Sequence, residues 1–203
     1  MAHLRTVISV WLGAVLFAVS VFAATPAEQN EIMELYRRGL AGDAMAVEEC
    51  IARLEAVLKT QPANQLARVY LGSALTLRSR DLGFGPKKLQ TLKQGVAVMD
   101  EAVAAAPNEM KVRLARALTT SALPSIFGHG ASARADFLLL GKSAETSASK
   151  LEAGDLQVIY YQAGVAEKSA GNREQAKAFW QKALQHDADP VLTQKVRAAL
   201  GKL

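Results

Sequence analysis

The sequence predicts an all-α fold, an α-α superhelix of about four helical hairpins closed by a C-terminal capping helix. Three observations predict it. From about residue 27 onward, apolar residues recur at intervals of three and four, with no sustained alternation of apolar and polar positions of the kind that marks strands. Helix-stopping runs such as Ala41-Gly42-Asp43, Gln61-Pro62 and Ala106-Pro107-Asn108 separate these stretches. The stretches also come in pairs, and two helices joined by a short turn form an αα-hairpin.

Residues 27–40 form the first predicted helix and residues 44–59 the second, with Val47, Cys50, Ile51, Leu54, Val57 and Leu58 on one face. Gln61-Pro62 ends the second, because a residue before proline is pushed out of the helical region. Helices over 64–79 and 88–105 make the second pair, and 110–122 with 131–147 the third. Those over 156–169 and 173–185 make the fourth. Pro190 precedes the last, over 191–200. No linker is long enough to divide residues 24–203, which are read as a single helical-repeat domain.

The first 23 residues read as a secretory signal peptide: Arg5, an uncharged run from Val7 to Phe22, then the small pair Ala23-Ala24. Cleavage is expected after Ala23, giving a periplasmic or secreted product with no stable membrane span. The other reading is an uncleaved anchor, but the run is 16 residues, short of the roughly 20 that span a bilayer. No cysteine follows it, so lipoprotein attachment is not expected. Cys50, the single cysteine, cannot form an internal disulfide and falls within an apolar helix face, as a small buried hydrophobe would.

Loss of Arg5 takes the formal charge from +5 to +4. Between residues 78 and 116, eight basic residues (Arg78, Arg80, Lys87, Lys88, Lys93, Lys111, Arg113, Arg116) face four acids, so the surplus sits in the middle of the chain. A solvated face explains it, and so does an acidic protein, peptide or membrane surface. Export argues against nucleic acid.

The fourth pair carries the most specific spacing. Tyr160, Ala163-Gly164, Gly171, Ala176, Trp180 and Ala183 stand at the offsets of a tetratricopeptide (TPR) repeat, and the stretch resembles one; Ala188 holds the usual proline position and Pro190 follows. Cys50, Leu54, Val57 and Pro62 match the second helix and its terminator, as do Gly95, Met99, Ala102 and Pro107, while Leu71-Gly72 match a first helix. The resemblance implies that Gly164 and Ala176 let two helices approach and that Trp180 fills the space between this pair and its neighbour. It also implies that first helices line a concave surface. Two departures stand out: about ten surplus residues around SRDLGFGPKKLQTL, and the turn LPSIFGHG at 123–130. Both join helices within a hairpin, so the loops at 81–88 and 123–130 are expected side by side, and such insertions often form a binding face.

The resemblance implies a non-enzymatic, TPR-like scaffold binding a protein or peptide, acidic in the charge reading, through its groove. Arg78, Lys111, Arg113 and Arg116 are the candidate contacts, with Phe127 and His129 on the loop. The alternative is a small-molecule or lipid carrier of an envelope transport system, with its ligand between the two loops. A hydrolase centred on His129 would need an acid or nucleophile within reach. No Gly-x-Ser-x-Gly elbow and no His-Glu-x-x-His pair occurs, so no catalytic residue, metal or cofactor is assigned. Gly83 to Lys88 invites a phosphate-loop reading, but no Gly-Lys-Ser/Thr follows, and Pro86 is better placed in the first turn of a helix. Tyr160, Tyr161 and Trp180 are expected in the core.

Overall fold

A computed structural model describes residues 26–147 and 151–203. The expected signal peptide lies outside them. Among the described residues the fold is all-α, without strands: α1 Pro26–Leu40, α2 Ala44–Thr60, α3 Gln65–Asp81, α4 Pro86–Ala105, α5 Met110–Ala122, α6 Gly130–Ser147, α7 Ala153–Ser169, α8 Arg173–Leu184 and α9 Pro190–Leu200. Each helix packs on the next, making four hairpins and a terminal helix, with α3 also against α5. None of these helices is long and apolar enough to cross a membrane.

Local chemistry sets the helix ends. Asp43 caps α2 by accepting from the Ala46 N–H at 3.0 Å. Asn64, expected as the first residue of its helix, stands one position outside, because its side-chain oxygen accepts from the Ala67 N–H at 3.0 Å. Asp189 caps α9 and places Pro190 at its first position, where the missing N–H costs nothing. The stripe predicted on α2 is buried from Val47 through Cys50, Ile51 and Leu54 to Val57. Cys50 is wholly buried, and burial pushes its thiol up to about 11.

The surplus in the second hairpin is not a loop. Helix α3 runs on to Asp81 and α4 starts at Pro86, two residues before the expected start, leaving only 82–85 as the turn. Three contacts hold the lengthened ends. Ser79 Oγ donates to the Lys88 carbonyl at 2.9 Å, and Lys88 Nζ donates to the carbonyls of Arg80 and Leu82 at 3.0 and 3.2 Å. Lys88 therefore serves the last carbonyls of α3, the usual place for a cation at a helix C-terminus. Lower down, α3 and α4 meet backbone to backbone at Gly72 and Gly95. A Cβ on Gly72 would lie 2.5 Å from the Gly95 carbonyl oxygen, and one on Gly95 would lie 2.6 Å from the Gly72 oxygen.

In the fourth hairpin Trp180 is 1% exposed, and its indole N–H donates to the Tyr161 carbonyl at 3.0 Å. Gly164 makes this possible, since a Cβ there would sit 2.4 Å from the indole. Tyr160 is buried with Phe179 stacked beside it, whereas Tyr161 is half-buried at the edge. The wholly buried Gln157 ties down α9: its oxygen accepts from the Asp189 N–H at 2.8 Å, and its amide donates to Thr193 Oγ1 at 2.8 Å.

Candidate functional site

The first helices of the first three hairpins, α1, α3 and α5, stand side by side and frame a groove of about 420 Å³. Its walls include Leu40, Leu77, Leu118 and Tyr70. Along its floor runs a chain of hydroxyls. Thr119 Oγ1 donates its one hydrogen to the Ala115 carbonyl at 2.9 Å, so it accepts from Ser73 Oγ at 2.7 Å. Ser73 in turn accepts from Tyr36 Oη at 2.6 Å. The Tyr36 oxygen is left with acceptor capacity facing the groove. Tyr70 packs edge-on against Tyr36, with ring centroids 5.2 Å apart, and its hydroxyl has no hydrogen-bond partner among the described residues. Burial pushes the Tyr70 phenol up to about 12, so it stays a neutral donor.

Beyond Thr76, Arg80, Leu123 and Pro124, which border both spaces, the groove passes into a cavity of about 570 Å³. The turns at 82–85 and 123–129 meet here, as their shared edge of the stack implies. Phe84, Pro86, Leu89 and Leu92 come from one side, and Ile126 and Phe127 from the other. Residues 125–127 form one 3-10 turn, closed by Gly128 at φ 77, a left-handed conformation that favours glycine. Phe127 is half-buried in the cavity wall, while Phe84 is fully exposed and Ile126 is 84% exposed. Of the eleven large hydrophobic side chains exposed among the described residues, Leu40, Phe84, Leu89, Leu118 and Ile126 line this groove and cavity. These side chains are therefore clustered rather than scattered singly over the surface.

The four basic candidates are engaged within the chain. Arg78 pairs with Glu48 through contacts of 2.6 and 2.5 Å, and Lys111 reaches Glu152 at 3.1 Å. Arg113 and Arg116 converge on Asp136, which is 4% exposed, at 2.7 Å each, and Arg116 also holds Asp100 at 3.0 Å. With side chains only 15% and 17% exposed, these two arginines neutralise a buried carboxylate between α5 and α6. They are not the freely solvated charges that a count of the central segment suggests. Lys111 and Arg113 border a separate cavity of about 420 Å³, with Glu109, Leu139 and Leu151.

His129 is half-buried, and its carbonyl closes the first turn of α6 by accepting from the Ala133 N–H at 3.1 Å and from Ser132 Oγ at 2.9 Å. The described residues contain no cluster of three or more His, Cys, Asp or Glu suited to a metal. Lys88, raised as a phosphate-loop lysine, caps α3 instead, and Pro86 takes the helix-starting place expected of it. The groove residues Tyr36, Tyr70, Ser73, Leu118 and Thr119, and the rim residues Phe84, Leu89 and Ile126, did not stand out as candidates in the sequence. No protein-family model and no curated protein matches the chain.

Proposed function

We propose that this chain is an exported, non-enzymatic interaction module of the tetratricopeptide type, which holds a peptide segment of a protein partner along the groove of α1, α3 and α5. The observation that carries the proposal is the pairing of apolar walls, Leu40, Leu77 and Leu118, with the hydroxyls of Tyr36 and Tyr70, which keep hydrogen-bonding capacity and are positioned by Ser73 and Thr119 beneath them. An extended peptide needs both: pockets for its side chains and polar atoms for its backbone. The internal ion pairs of Arg78, Lys111, Arg113 and Arg116 support apolar rather than electrostatic recognition.

The test is selection of binding peptides from a library on the intact protein. Leu118→Glu puts a charge on an exposed groove wall and should weaken the selected peptide at least about tenfold, while Met45→Glu, on the exposed face of α2, should not. Added salt should leave the affinity nearly unchanged. Indifference to Leu118→Glu, or steep loss with salt, would return the partner to the basic centre. Export has its own check. The intact mass of the secreted protein should begin at Ala24, and a mass that includes residues 1–23 would mean an anchored product.

A further inference from the structure

We infer that the cavity between the two irregular turns binds an anionic single-chain amphiphile of the fatty-acid type, with its acyl chain on the apolar walls and its carboxylate at Arg80 and Lys88. This site goes beyond the peptide groove: it shares Thr76, Arg80, Leu123 and Pro124 with it, but takes its apolar walls from Phe84, Leu89, Leu92, Ile126 and Phe127 and its second cation from Lys88. Its volume, about 570 Å³, lies within the roughly 300–1,000 Å³ of small-molecule sites.

Three features select the ligand. Charge is the first: among the described residues, Arg80 and Lys88 are the only charged side chains that line the cavity, and no carboxylate does. Between residues 80 and 88 the cations Arg80, Lys87 and Lys88 face one acid, Asp81, and Lys87 makes no ion pair among the described residues.

The second is what hydrogen-bonding capacity remains. The polar side chains of the wall already donate inward, Thr76 Oγ1 to the Ser73 carbonyl at 2.7 Å and Ser79 Oγ to the Lys88 carbonyl at 2.9 Å. A polypeptide entering here would bury N–H and C=O groups without partners, whereas an acyl chain has none to bury. The cations, by contrast, keep hydrogens. Lys88 Nζ uses two of its three, on the carbonyls of Arg80 and Leu82. Arg80 bonds through Nε and Nη2 to Asp81 and Gly39, which leaves Nη1 for a carboxylate.

The third is the rim. Phe84 and Ile126 leave apolar surface in water that a seated chain would cover, and Leu89 is 42% exposed beside them. A site of this kind has an apolar slot for the tail and two cations with hydrogens to spare for the head.

Calorimetric titration of the delipidated full-length protein with monomeric dodecanoate tests the site. One molecule should bind, and Ile126→Glu, on an exposed side chain, should weaken it about tenfold or more. Lys88→Gln should weaken dodecanoate about tenfold while leaving dodecyl maltoside, which has the same tail and no charge, nearly unaffected. Leu118→Glu, which breaks the peptide groove, should leave dodecanoate binding intact, so failure of the groove and failure of this site are distinguishable. The inference is overturned if dodecanoate does not bind, or binds equally well to Ile126→Glu. It is also overturned if only vesicles of anionic phospholipid capture the protein, which would make this edge a membrane-docking surface.

Discussion

Trp180→Ala is expected to lower the thermal midpoint by about 6–20 °C, the equivalent of ~3–5 kcal/mol for deletion of a buried indole in a protein of this size. The cost has three parts. The indole is 1% exposed, so its removal leaves a cavity between α7 and α8. Its N–H bond to the Tyr161 carbonyl is lost, and that oxygen is left without this donor. Gly164 has no side chain with which to fill the gap, being shaped to receive the ring. Trp180→Phe should fall between the two, since it restores much of the volume but not the donor. A midpoint unchanged by Trp180→Ala, in differential scanning calorimetry, would place the side chain in solvent and the fourth hairpin in the wrong register.

Gly72→Ala should cost about 3 kcal/mol, or about 6–12 °C, although alanine is the better helix former by ~1 kcal/mol. The propensity gain is outweighed because the new methyl would meet main chain: the Gly95 oxygen at 2.5 Å and the Met99 nitrogen at 2.9 Å. A flexible side chain could swing away, but a helix backbone must move as a unit, and moving α4 would disturb the groove that α3 shares with α5. Gly83→Ala is the control, because a Cβ there meets nothing within 4 Å. If Gly72→Ala melted like the unmodified protein, the α3–α4 contact described here would be absent.

How much could be read from the sequence differs by element and has physical causes. The interval of three and four residues located each α-helix among the described residues, though not the 3-10 turn at 125–127, and the bounds of α5 agree at both ends. The tetratricopeptide resemblance marked Gly164, Ala176 and Trp180 for close packing, although it set Trp180 between two hairpins and the indole lies against Gly164 within the fourth. The second hairpin was misread at its turn, since Gly83, Gly85 and Pro86 look like a long break. Only the tertiary contacts of Ser79 and Lys88 show that helix extends to both sides. Charge was the least legible property, because the partners of Arg78, Lys111 and Arg113 lie 30, 41 and 23 residues away. One signal was available. Asp136 falls in the stripe of Ala133, Phe137, Leu140 and Ala144, and an acid on a buried face needs a cation. The groove itself left no local mark, because Tyr36, Ser73 and Thr119 come from three hairpins and become neighbours only when α1, α3 and α5 align.

The lengthening of α3 and α4 also links fold to proposed function. It brings the 82–85 turn against 123–129. The groove thereby gains the apolar annex in which a second ligand is proposed.

That the face of α1, α3 and α5 is the binding face is tested most directly by recording amide shifts of isotopically labelled protein as the selected peptide is added. Movement is expected at Tyr36, Tyr70, Ser73 and Thr119, with the rim of the separate cavity at Glu109, Lys111 and Leu151 unmoved. Shifts centred on Lys111, Arg113 and Leu151, with the signals of Tyr36 and Thr119 unchanged, would contradict it.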